Sequence, residues 1–142
     1  MPRQTLIPIL RYADALAAID FLGRAFGFEP HAVFANADDP QIVDHAQLSS
    51  GDNLFMLSSA TPGETTDLYR WKTPSVAAGI TMCVYVVIDD PDAHHDRAQA
   101  AGAEIVTPPH DNVGYPGRSY NARDPEGNVW DFGTYDPWAE IT

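Results

Sequence analysis

An aspartate stands between two large aromatic residues in Trp130-Asp131-Phe132. A carboxyl on a strand of that composition loses water, which makes it a candidate general base or an anchor for a cation. The alternative is an internal ion pair, with Arg11 as one donor. His94 and His95 are adjacent, and adjacent side chains on a helix point about 100° apart, so they cannot chelate one ion as an i,i+4 pair does. They read as surface residues, as do His31 and His110 near strand ends. Cys83 is the single cysteine and has no partner for an internal disulfide. Trp71, Tyr115, Tyr120 and Trp138 offer stacking surface. Twenty Asp and Glu against eight Lys and Arg give a net charge of −12. That balance attracts cations and removes the counterion-release force that drives binding to nucleic acid or to anionic membranes.

The elements that must position these groups follow from local pattern. Leu6 to Tyr12 has strand character, and Asp14 is placed to cap a helix over Ala15 to Phe26. Along that helix Ala18, Ile19, Leu22, Ala25 and Phe26 recur at helical spacing, Asp20 and Arg24 form an i,i+4 pair, and Gly27 supplies the stop. Strand segments are expected over 28–36, 41–49 and 53–59, the last two joined by Ser49-Ser50-Gly51-Asp52. Residues 61–78 are rich in Thr, Pro and Gly and read as a surface linker rather than another element. After it come a strand over Thr81 to Ile88, Asp90 as cap with Pro91 in the first turn, a helix to Ala101, and Gly102 as stop. Strands over 103–108, 117–123 and 128–134 complete the chain. Both halves read βαβββ, in a single domain over 1–142 with a first module at 5–60 and a second at 79–136.

A gapless offset of 75 pairs Asp14 with Asp89, Ala18 with Ala93, Ala25 with Ala100, Gly27 with Gly102, Glu29 with Glu104 and Asn53 with Asn128. These identities fall at helix starts, helix stops and strand entries, where backbone geometry restricts the residue choice, and they favour a duplication. The same offset sets His45 opposite Tyr120, a pair that would offer hydrogen bonds from two sides of a shared crevice. The longest apolar run is far short of the roughly 20 residues that cross a bilayer. Met1 to Thr5 holds no apolar stretch of signal-peptide length, so a cytoplasmic address is expected.

Arg11-Tyr12-Ala13-Asp14, Ala25-Phe26-Gly27-Phe28-Glu29 and Ala101-Gly102-Ala103-Glu104-Ile105 resemble the corresponding segments of the vicinal oxygen chelate superfamily, which includes glyoxalases, bleomycin-resistance proteins and extradiol dioxygenases. The closing segment from Ser119 to Tyr135, with Asp124-Pro125-Glu126-Gly127-Asn128 at its turn, is similar to the bleomycin-resistance-like and PhnB-like branches. The resemblance covers roughly residues 5–136. It implies an α+β fold of tandem βαβββ modules forming a cup-shaped mixed sheet, helices on the convex side and ligand on the concave side. Strand parity then sends Asp131 and Met56 into the cup.

Enzymes of that superfamily hold a divalent metal through His and Glu on the first and fourth strands of each module. Carried over position by position, this chain offers Ile7, Met56, Cys83 or Met82, and Asp131, a poor donor set for a metal. No metal and no cofactor is therefore expected. The Gly114 to Tyr120 loop resembles one that borders ligand in the family, with Arg118 as an anion-pairing fork. The expected function is binding of a small cationic or aromatic molecule, with Asp131 in the catalytic or anchoring place and Met56, Cys83, His45, Tyr120, Arg118 and Trp71 as ligand contacts. The alternatives are an enzyme, metal-dependent or using Asp131 as base, and a domain acting mainly through association. Family habit implies a homodimer, with Trp71 and Trp138 as anchors.

Overall fold

The Asp14 carboxylate accepts the Ala17 amide at 3.1 Å and starts helix α1 (Ala15–Phe26), which ends where Gly27 turns left-handed at φ 78°. Both signals are as the sequence implies, and Arg24 donates to Asp20 at 2.8 Å. The structure is a computed structural model that describes residues 2–139. Ahead of α1 lies β1 (Ile9–Tyr12), and after it come β2 (Glu29–Ala35), β3 (Val43–Ser50) and β4 (Asn53–Ser59). The second half repeats the order with β5 (Val84–Val87), α4 (Pro91–Ala100), β6 (Glu104–Asp111), β7 (Arg118–Arg123) and β8 (Val129–Gly133). Asp90 caps α4 through the Ala93 amide at 3.1 Å, with Pro91 in the first turn.

Each half builds a four-stranded mixed sheet, β1-β4-β3-β2 and β5-β8-β7-β6, in which β1/β4 and β5/β8 are the parallel pairs. This is the expected α+β architecture of two βαβββ units, with the mixed sheet present as two parts that share no ladder.

The connection is more than the plain linker expected over 61–78. It contains two short helices, α2 (Glu64–Tyr69) and α3 (Pro74–Ala77). Gly63 precedes the first, and Pro74 fits a first helical turn, where a missing N–H costs nothing. The Pro and Gly taken as signs of irregular chain are the boundaries of these helices.

Helix α1 buries six residues, among them Phe21, Leu22 and Phe26, against the first sheet. Helix α4 buries only Pro91 and Ala98. The two halves nevertheless share one core: Phe26 lies 4.8 Å from Phe132 between ring centroids, and Phe28 and Phe55 lie 5.1 and 5.0 Å from Trp130. Tilted and edge-on aromatic contacts of this kind add to the burial itself. Arg97 ties the helices together by donating to the carbonyls of Arg24 and Gly23 at the end of α1, at 2.9 and 3.0 Å.

Asp124, in the turn between β7 and β8, is 4% exposed. Its carboxylate accepts the Tyr12 hydroxyl at 2.7 Å, the Trp130 indole at 3.1 Å and the amides of Glu126 and Asn128 at 3.0 and 3.1 Å. Glu126 in turn accepts the amides of Ala13 and Asp14 at 2.6 and 2.9 Å. The turn that identifies the family by resemblance thus holds the second half to the start of α1.

Candidate functional site

On β8, Trp130 and Phe132 point into the core and Asp131 to the opposite, open face. Across the ladder Asp131 sits between Tyr85 of β5 and Asn121 of β7. Loss of water raises its carboxyl above the ordinary range, while the Asn121 amide and His110 pull the other way. The Asn121 side-chain oxygen is buried and has no hydrogen-bond partner among the described residues. Tyr85 keeps its proton, raised first by desolvation and then by Asp131, and donates to the Tyr135 carbonyl at 2.7 Å. A Cβ at Gly133 would lie 2.7 Å from the Tyr85 hydroxyl oxygen, so only glycine lets that ring cross β8. Arg11 is not the partner of Asp131. It donates to the Thr61 carbonyl and the Thr66 hydroxyl at 3.1 and 2.8 Å.

The matching face of the first sheet carries Ile9, Met56, Gln47 and His45, with Phe34 stacked on His45 at 5.9 Å. His45 meets the Gln47 amide at 3.0 Å. Its expected partner Tyr120 is elsewhere, fully buried on the core side of β7 and stacked on Phe132 at 5.3 Å. The cause is a slip in register. Seven residues separate Leu48 from its ladder partner Phe55, but eight separate Ala122 from Trp130. The later turn is one residue longer, so Tyr120 matches Ala46 and not His45, and a one-residue slip exchanges the two faces of a strand.

The same ladders correct the metal positions. Beside Met56 stands Ile9, not Ile7, and beside Asp131 stands Tyr85, not Cys83. Cys83 is exposed, just before β5. Two apolar side chains, a phenol and one carboxylate do not fit a divalent metal. Among the described residues no three His, Cys, Asp or Glu side chains are grouped to hold one.

Of the histidines read as surface residues, His31 and His110 are exposed, but His94 and His95 are half-buried. His94 Nε2 lies 3.1 Å from the Phe26 carbonyl, so it donates, and Nδ1 then accepts from the Tyr120 hydroxyl. Burial lowers its pKa, which keeps the ring neutral between α4, α1 and β7. Desolvation pushes the Tyr120 hydroxyl well above its ordinary value.

Arg118 is also committed. Its guanidinium donates to both oxygens of Asp92 at 2.8 and 2.9 Å and to Asp111 at 3.2 Å, which lowers the Asp92 carboxyl. The fork expected for a ligand anion is closed by protein carboxylates. Trp71 stacks on Tyr69 at 5.6 Å and has the Arg11 guanidinium over its ring at 4.8 Å. It lines a cavity of about 510 Å³ between the connection and the entrances of β5 and β8. No acidic residue is among the described residues that line it. Asp131 and Met56 line neither this nor the two next cavities, although Ile9, Tyr85 and Val129 of the same faces border them.

With the geometry in place, comparison with known proteins adds the family. The profile of the Glyoxalase/Bleomycin resistance protein/Dioxygenase superfamily matches residues 5–132. Uncharacterized protein Rv0887c of Mycobacterium tuberculosis is 30% identical over 128 residues, 90% of this chain and 72% of that protein. Among solved structures, TioX from Micromonospora sp. ML1 is 31% identical, covering 92% of this chain and 97% of that one, with a TM-score of 0.67. The fosfomycin resistance protein FosX of Listeria monocytogenes, solved with Mn(II) and 1S,2S-dihydroxypropylphosphonic acid, has a TM-score of 0.66 over the whole of both chains at 12% identity, a likeness of fold alone. The chain belongs to the Glyoxalase/Bleomycin resistance protein/Dioxygenase superfamily.

Proposed function

We propose that this member of the glyoxalase and bleomycin-resistance superfamily binds a small cationic or aromatic molecule on the open face of the β5-β8-β7-β6 sheet, without a full metal site. The observation that carries the reading is the row Tyr85, Asp131, Asn121, set side by side on three adjacent strands. A carboxyl whose pKa is raised by lost water gains most from a ligand cation, because the cation restores the charge stabilisation that water gave. Tyr85 beside it supplies an aromatic face, and the Asn121 side chain steadies the carboxyl from the other strand. A second copy of the chain completes the site in this reading. Support comes from apolar groups left open on these faces, with Phe34, Ile9, Val87 and Tyr85 respectively 57, 49, 49 and 38% exposed.

The test is a thermal-shift series with cationic aromatic probes on the wild type and on Asp131→Asn. Stabilisation by the cations that the variant abolishes supports the reading. Equal shifts in both proteins, or none at millimolar probe, overturn it. Sedimentation showing only monomer at micromolar concentration removes the second copy. A second reading, proton abstraction from a substrate by Asp131, draws on the same raised carboxyl. Full turnover in Asp131→Asn on any substrate found would end it.

A further inference from the structure

The eight Lys and Arg side chains divide into three groups by what they touch. Arg3, Arg24, Arg118 and Arg123 each pair with a carboxylate. Arg97 caps the carbonyls at the end of α1. The remaining three, Arg11, Arg70 and Lys72, have no carboxylate within ion-pair distance among the described residues, and all three line the 510 Å³ cavity beneath the connection. Twenty acidic residues are available in this chain, and none of those described lines that cavity. Glu64 and Asp67 of α2, nearby in sequence, are outside its wall.

Arg11 is the fixed member of the group. One of its terminal nitrogens is held by the Thr61 carbonyl and the Thr66 hydroxyl, its plane lies over Trp71, and its Nε is buried without a hydrogen-bond partner. Its other terminal nitrogen, Nη1, has no hydrogen-bond partner among the described residues and, unlike Nε, is not buried, so it is the group free to meet an anion. Arg70 takes the left-handed conformation, φ 53°, that glycine adopts at lower cost, and it brings a second guanidinium to the same wall. The rest of the lining is mostly apolar or aromatic, including Ile9, Ile80, Met82 and Trp130, with Thr81 and Asn128 as its polar members. The volume suits a small molecule.

We propose that this cavity binds a small aromatic carboxylate, its anion held by Arg11 with Lys72 and Arg70 and its ring packed on the apolar wall. The cavity does not include Asp131, although Val129 of the same face of β8 lines it, and it selects the opposite charge. With a screening length of about 8 Å at physiological salt, the three local cations outweigh the distant acidic surface for a ligand inside the cavity.

The test uses 1-naphthoate, its neutral isostere 1-naphthamide and the cation 1-naphthylmethylamine, titrated by calorimetry and tryptophan fluorescence against the full chain. The expected result is saturable binding of naphthoate, at least tenfold weaker binding of the amide, and no saturation by the amine. Arg11→Gln lowers naphthoate affinity at least tenfold, and Lys72→Ala and Arg70→Ala each lower it severalfold. Lys72 and Arg70 are exposed, so their variants keep the test valid if loss of Arg11 disturbs folding. Equal affinity for acid and amide, absence of saturation at millimolar naphthoate, or unchanged affinity in the Lys72 and Arg70 variants overturns the proposal. So does loss of naphthoate binding in Asp131→Asn, since that residue does not line the cavity.

Discussion

The two halves repeat one topology and divide the physical work unequally. The first contributes most of the core, through a helix that buries Phe21, Leu22 and Phe26, while α4 buries only Pro91 and Ala98. The second contributes the more polar open face, which carries Asp131 and Tyr85 where the first carries Met56 and Ile9. Their turns differ in the same sense, a two-residue Gly51-Asp52 reversal in one and the Asp124 hub in the other. The difference teaches that a duplicated unit whose partner supplies burial is free to accept polar groups at equivalent positions.

The sharpest way to break this contrast is at the turns. Asp124→Ala leaves the Tyr12 hydroxyl and the Trp130 indole buried without their acceptor, and is expected to cost about 3–5 kcal/mol in urea unfolding. Asp52→Ala, at an exposed turn where the partner is the equally exposed Arg3, should change stability by less than about 1 kcal/mol. Comparable losses would mean that both turns hold the fold.

Next come the helices. The 75-residue offset pairs Leu22, fully buried, with Arg97. Leu22→Ala is expected to cost about 2–5 kcal/mol through lost burial and a cavity. Arg97→Ala removes the bonds that cap α1 and should cost about 1 kcal/mol. Reversed magnitudes would place the burial in the wrong half.

A smaller effect is electrostatic and confined to the second half, because the matching positions in the first are Met56 and Ile19. His94 has a lowered pKa, so its contribution is complete above its ordinary value near 6.5 and is lost as pH falls through the lowered one. Asp131 has a raised pKa, so its contribution is complete below its ordinary value near 3.9 and is lost as pH rises through the raised one. The two oppose one another, so acidification from neutral pH costs stability through His94 and restores it through Asp131, and His94→Phe should remove the loss while leaving the gain. Asp131→Asn should raise the melting temperature at pH 8 and leave it nearly unchanged at pH 4. A variant that tracks the wild type at both pH values would show that Asp131 is well solvated.

What the sequence revealed follows the range of the forces involved. Asp14, Gly27, Asp90 and Pro91 act on amides within a few residues, and the strands and both long helices appear where those residues place them. The face of Tyr120 was not legible, because it depends on a one-residue difference in a turn that a gapless repeat cannot register. His94 lies on the polar helix and is buried by Phe26 and Tyr120, 68 and 26 residues away. The cluster of Arg11, Arg70 and Lys72 was hidden by a net charge of −12, which describes the surface as a whole and not one cavity. For Asp131, alternation along one strand was enough to find its face, and the ladder was needed to find Tyr85 and Asn121.

The Asp124 hub has a consequence for recombination. Tyr12 and its acceptor are 112 residues apart and belong to different halves, so the halves are no longer interchangeable parts. Chimaeras made by joining the front of one relative to the back of another inherit the clasp only when one parent's tyrosine meets the other's aspartate turn, and crossover points that respect this pair should dominate among the folded products.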